Sequence, residues 1–98
     1  MATTTLYIGH NHPNGNHSHD DVLACVLENL PEDIEGFTAY TAMGYYHGQP
    51  EQTSVFVFSM LDDKQTEFVR YALCFALREQ LAQECIGVMT VADDMEYL

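Results

Sequence analysis

Four of the chain's five histidines fall in one short run, G-H-N-H-P-N-G-N-H-S-H-D-D, from Gly9 to Asp21. His10 and His12 stand two residues apart and would project to one side of an extended segment, while His17 and His19 flank the start of a following helix. Imidazoles placed this way can share a zinc or other divalent ion at about 2.0–2.1 Å. The competing reading is a solvated polar connection in which Asn14-Gly15 makes a turn and Ser18 caps the helix. The connection is the simpler of the two and needs no resident cofactor. Asp20 and Asp21 beside these rings would favour their protonated form, since an ordinary imidazole titrates at about 6.5.

A second group capable of chemistry is Tyr45, Tyr46, His47 and Glu51 around a turn, with Gln83-Glu84 expected near a neighbouring strand end. Phenol, imidazole and carboxylate together suit acid–base work, and the open sheet face of a small dimeric domain can enclose a small-molecule pocket. The plain alternative is a hairpin turn with aromatic cross-strand packing. No glycine-rich phosphate loop, nucleophile elbow or basic aromatic stripe is present, so nucleotide transfer, serine hydrolysis and RNA binding find no support.

The secondary structure that carries these groups is read from pattern. Thr3 to Ile8 is a β-branched and aromatic run, hence a strand. Ser18 with Asp21 forms a helix start, Val22, Leu23, Val26, Leu27 and Leu30 recur at helical spacing, and Pro31 ends the helix. Phe37 to Tyr46 and Thr53 to Met60 form an antiparallel hairpin, with the Gly and Pro of His47 to Gln52 as its turn. Asp62 caps a long helix to about Glu84, with Gln65 completing a capping box. Val69, Ala72, Leu73, Ala76 and Leu77 share its inner face, and Lys64, Glu67, Arg70, Cys74 and Arg78 lie towards the other. Cys85 to Val91 is the last strand, followed by an acidic tail over 92–98.

This order predicts a single α+β domain over 1–98: a ferredoxin-like βαββαβ sandwich, a four-stranded antiparallel sheet with two helices on one face. A length of 98 residues supports one core and not two. Phe and Tyr occupy both alternating sets of the central hairpin. The uncovered sheet face is therefore expected to meet a second copy, giving a homodimer. Phe68, Tyr71 and Phe75 form a further aromatic stripe that could anchor a contact. Cys25, Cys74 and Cys85, odd in number and without a C-x-x-C pair, predict reduced, buried thiols.

Fifteen Asp and Glu against three Lys and Arg give a net charge of -12. Such a field excludes direct nucleic-acid binding and anionic membranes and favours a basic partner. No apolar run approaches the roughly 20 residues of a membrane span, and Met1 to Thr5 lacks the features of a signal peptide, so the expected location is the cytoplasm, that of the host if phage-encoded. The carboxylates of Asp20, Asp21, Glu32, Asp33, Glu35, Asp93, Asp94 and Glu96 could stand in for duplex phosphates before a nucleic-acid-binding protein.

Three resemblances accompany this reading. His10-Asn11-His12-Pro13 with Ser18-His19-Asp20-Asp21 resembles the H-x-H-P and S-x-x-D signature of JAMM-type zinc hydrolases, which implies His10, His12 and Asp21 as ligands and Ser18 as a supporting hydroxyl. The spacer from Pro13 to Ser18 is shorter than that family's, no Glu precedes His10 as base, and the chain is too short for its fold. Leu6-Tyr7-Ile8-Gly9, Gly36-Phe37-Thr38, Gly44-Tyr45-Tyr46-His47-Gly48 with Glu51 and Ser54, and Gln83-Glu84-Cys85-Ile86-Gly87-Val88 together resemble a family of small bacterial and phage proteins of unassigned function. That resemblance implies the ferredoxin-like fold and no particular activity. The small size and acidity resemble phage inhibitors of host defence, including anti-CRISPR proteins that mimic DNA. The combined expectation is a non-catalytic acidic module that binds a nucleic-acid-binding defence protein. Its alternative is a small-ligand or metal-dependent enzyme using the histidine loop or the Tyr45 to Glu51 hairpin.

Overall fold

The structure, a computed structural model, describes residues 1–11 and 16–92. Strand β1 (Ala2–Gly9) leads to helix α1 (His19–Asn29), then to strands β2 (Thr38–Tyr46) and β3 (Gln49–Leu61). A second helical rod comes next as α2 (Asp63–Glu67), a π-helical segment (Phe68–Leu73) and α3 (Cys74–Gln80), and strand β4 (Gly87–Ala92) closes the order. The strands form one antiparallel sheet in the order β2-β3-β1-β4. This is the ferredoxin-like fold, with α1 and the second rod on one face of the sheet.

The covered face is set by the alternation of side chains along the central strands. Leu6 and Ile8 from β1 and Phe56 and Phe58 from β3 are fully buried, against Val22 and Val26 of α1 and Val69, Leu73 and Leu77 of the second rod. Each such side chain contributes about 1.5–3 kcal/mol relative to exposure. Phe37 closes the edge of this core, with its ring 5.3 Å from that of Phe58 and 5.8 Å from that of Phe56.

Both helix starts are capped as their sequences predict. Ser18 Oγ accepts from the Asp21 amide at 3.1 Å, and the Asp21 carboxylate accepts from the Ser18 amide at 3.3 Å. Asp62 and Gln65 form the same reciprocal pair at 2.8 and 2.9 Å. Helix α1 stops at Asn29 because Leu30, which precedes Pro31, is extended.

Three expectations need correction. The hairpin turn is not His47 to Gln52 but the two residues His47 and Gly48, at φ 49° and 77°. A two-residue loop with both φ positive matches the twist of its strands, and Pro50 fits within β3 near the sheet edge. Cys74 is buried, as expected of a free thiol but not of its place on the polar side of the helical spacing, and Ala72, expected on the inner face, is exposed. The π-helical segment adds a residue to one turn and so rotates the later part of the rod; the Cys74 thiol donates to the Val69 carbonyl five residues back at 3.2 Å. Cys85 is exposed rather than buried.

The second rod also ends earlier than expected, at Gln80 rather than Glu84. Ala82 takes φ 51°, and the Gln83 amide donates to the Arg78 carbonyl at 3.0 Å, which is the six-to-one bond of a Schellman motif. Alanine sits where glycine is preferred. The left-handed conformation costs a side chain about 1–2 kcal/mol, of which glycine's greater freedom in the unfolded chain would reclaim about 0.4–1. Ala82→Gly is therefore expected to raise the melting temperature by a few degrees, a shift that thermal denaturation followed by circular dichroism measures; an unchanged or lower midpoint contradicts the assignment.

Candidate functional site

The histidine run resolves into structural joints. His10 follows Gly9 at the end of β1; its amide donates to the Gln52 carbonyl at 2.9 Å, and its ring turns to the helix side, where it is only 4% exposed. Ser54 Oγ, fully buried, lies 2.7 Å from His10 Nε2 and 2.7 Å from His19 Nδ1. A hydroxyl carries one proton, so at least one of the two rings donates to it. The His19 ring also stacks on Phe56, with centroids 6.2 Å apart and planes 14° from parallel. His17 donates from Nε2 to the Leu81 carbonyl at 2.7 Å, and its amide donates to the His10 carbonyl at 2.9 Å.

These contacts correct the picture of a wholly solvated loop. One hydroxyl joins β1, β3 and the start of α1, and His17 joins the same corner to the end of α3. His12, like Pro13 and the Asn14-Gly15 turn, lies outside the described residues. Among the described residues no three His, Cys, Asp or Glu side chains converge as metal ligands. The position of Ser54 was legible in T-S-V-F-V-F-S-M, where a period of two puts Ser54 on the same face as Phe56 and Phe58.

On the opposite face of the sheet, where β1, β3 and β4 come together, lies a pocket of about 320 Å³. Its floor is Tyr7, Gly9 and Gly87; Glu51 stands on one side, Gln83, Glu84 and Cys85 on the other, and Asn11 lines it as well. Two glycines make the floor possible. A Cβ on Gly9 would collide with the Glu51 carboxylate, and one on Gly87 would come within 3.2 Å of Tyr7 Cβ. Residues Gln83 to Cys85 reach the pocket because the Schellman turn at Ala82 ends the helix just before them. Gln83 Nε2 is buried with no acceptor among the described residues, a deficit of about 1–3 kcal/mol that a ligand acceptor would relieve. A neighbouring hollow of about 340 Å³ shares Asn11 and Glu51 and extends to Tyr46 and His47 at the hairpin.

Glu51, Gln83 and Glu84 are thus brought together as their spacing suggested, whereas Tyr45 pairs with Pro50 outside the pocket. Tyr7, Gly9 and Gly87 were missed as site residues, since their role arises only from strand pairing. Of the acidic residues, Glu32, Asp33 and Glu35 are exposed on the loop after α1. Gln65 Nε2 donates to the Asp33 carbonyl at 2.8 Å, which sets this loop against Asp62 and Asp63. Asp20 and Asp21 lie at the opposite end of α1, about 16 Å away by helical rise. Asp93, Asp94 and Glu96 lie outside the described residues, and Ala92 belongs to β4 rather than to a tail. Tyr71 and Phe75 are exposed on the second rod, and Phe68 packs against the core.

No protein-family model matches the chain, and no curated protein matches its sequence. Its fold is similar to that of a phage SAM lyase solved in complex with S-methyl-5′-thioadenosine, with a TM-score of 0.63 and 19% identity over 92% of this chain and 79% of that one. The apo state of a phage SAM lyase gives a TM-score of 0.62 and 16% identity over 98% and 92% of the two chains. A DUF3240 family protein from Shewanella baltica OS155 gives 0.56 and 13% over 99% and 94%. At these identities the likeness is one of fold. Among the described residues no helix is long and apolar enough to cross a membrane.

Burial holds the His10 imidazole below its ordinary value of 6.5, with His19 and His17 adding to the effect and the Gln52 side chain and Glu51 opposing it. This is the reverse of the protonation that neighbouring aspartates suggested. Below about pH 6.5 the unfolded chain binds a proton at His10 that the folded chain resists, so this residue makes stability fall as pH drops through that range and leaves it unaffected above. Melting temperatures taken from pH 7.5 to 5.5 should decline less steeply in His10→Gln than in the wild type; equal slopes would refute the assignment.

Proposed function

We propose that the chain is a small-ligand protein whose site is the pocket between Glu51 and the Gln83 to Cys85 turn, and that its ligand is a cationic nucleoside of the S-adenosyl sulfonium type. The observation that carries this reading is the Glu51 carboxylate lying across Gly9 in a cavity of about 320 Å³. That volume is at the lower end of small-molecule sites, about 300–1,000 Å³. Tyr7 offers an aromatic surface, Gln83 a donor without an acceptor among the described residues, and Glu51 and Glu84 carry the negative charge that suits a permanent cation. The fold shared with a lyase that holds S-methyl-5′-thioadenosine supports the same ligand class. If the reaction is also shared, the bond broken is the one between the sulfonium sulfur and the 3-amino-3-carboxypropyl group, because S-methyl-5′-thioadenosine retains the other two substituents; the sulfur keeps the bonding pair, and the released carbon either closes on its own carboxylate as a lactone or loses a neighbouring proton to a base to form an alkene. The product is a neutral thioether, for which the carboxylates have less affinity.

Calorimetric titration with S-adenosylmethionine and with S-methyl-5′-thioadenosine, and mass spectrometry of the mixture, test this. Glu51→Gln is expected to weaken binding of the sulfonium by about tenfold, near 1.4 kcal/mol, and that of the thioether much less. Gly9→Ala, which displaces the flexible Glu51 side chain at little cost in stability, should weaken both. No heat of binding with either compound would overturn the reading.

A second reading, an acidic module that occupies the nucleic-acid groove of a basic defence or DNA-handling protein, is favoured by the exposed cluster of Glu32, Asp33 and Glu35 beside Asp62 and Asp63. It predicts capture of such a protein from host lysate at low salt, with release by DNA or high salt. Charge reversal of Glu32, Asp33 and Glu35 should abolish that capture; retention would exclude this surface.

A further inference from the structure

We infer that the uncovered face of the sheet is a contact between copies of this chain. The proposal is independent of the ligand assigned to the pocket. Both helices lie on the other face, so the side chains of β1 to β4 that point away from the core have no covering element among the described residues. Tyr7, Tyr40, Met89 and Val91 are 40%, 48%, 56% and 53% exposed there. Val55, between Tyr40 and Tyr7 in register, is 1% exposed and so already sits beneath its neighbours as a core residue would.

Charge selects the occupant. The chain carries a net charge of -12, yet its four strands hold a single charged side chain, Glu51, at the pocket end of the face. The remaining carboxylates of the described residues belong to the helices, their caps and the connecting loops. A basic partner would be drawn to those elements and not to this face. For a second copy the order reverses: the sheet is the surface on which two such chains meet with their carboxylates, apart from Glu51 and Glu84 at the pocket, turned outward.

The extent is also sufficient. Four strands at about 4.8 Å spacing and about 8 residues of about 3.4 Å each span on the order of 500 Å² in projection. A biological interface buries at least about 1,000 Å² counted over both partners. Tyrosine and methionine, the large residues exposed here, are enriched at such contacts. The pocket opens onto the same face at its edge, so a copy laid on the sheet would lie beside it.

Sedimentation equilibrium of the full chain in 0.15 M and 0.5 M salt tests this. The expected result is a mass of two or more times 11.1 kDa that persists or strengthens as salt rises, because screening weakens repulsion between acidic copies. Tyr40→Glu and Met89→Glu, with unchanged circular dichroism, should reduce the mass to one chain, while Phe75→Glu on the second rod should leave the assembly intact. A wild-type chain that stays monomeric up to several hundred micromolar overturns the proposal. So does an assembly that dissociates with Phe75→Glu and not with Met89→Glu, which would place the contact on the helices.

Discussion

The central strands have one face that must be covered. Leu6, Ile8, Phe56 and Phe58 project from adjacent positions of β1 and β3, and burying them requires both α1 and the second rod on the same side. The rest of the molecule is arranged around that demand. The helices, having placed their apolar faces inward, carry acidic residues on their outer surfaces and caps, and the strands of the opposite sheet face hold one charged side chain, Glu51. One constraint thus divides the protein into a charged side and an uncharged side.

A polar joint at one corner completes the division. Ser54 interrupts the apolar alternation of β3 and would be costly if unpaired, since a buried hydroxyl without a partner loses its hydrogen bonds to water. The His10 and His19 rings satisfy it and in doing so lock the end of β1 and the start of α1 to β3. His17 extends the joint to the Leu81 carbonyl at the end of α3. On the other side of the sheet the same strand ends carry Gly9 and Glu51. His10, His17 and His19 therefore support the pocket from behind rather than lining it.

The pocket gains its character from what is missing as much as from what is present. Glycine at positions 9 and 87 removes side chains from the floor, and the end of α3 at Gln80, followed by the left-handed turn at Ala82, brings Gln83, Glu84 and Cys85 to it. The buried thiols of Cys25 and Cys74 are held above their ordinary value chiefly by desolvation, so neither is suited to nucleophilic chemistry. Carboxylate chemistry at Glu51 and Glu84 remains as the feature that a cationic ligand would recognise.

The order of elements, both capping boxes, the end of α1 at Pro31 and the apolar sets of β1 and β3 were legible in the amino-acid order alone. These depend on local periodicity and on hydrogen bonds between residues three apart, which a linear pattern carries. The charge, and in broad terms the proximity of Glu51 to Gln83-Glu84, could be read there too. The inward turn of Cys74 depended on a π-helical step, and the roles of Tyr7, Gly9 and Gly87 depended on which strand paired with which. His10 was legible as a potential ligand but not as a buried partner of Ser54, 44 residues away. Contacts over such separations leave no period in the chain, because they are chosen by the packing of whole elements in three dimensions.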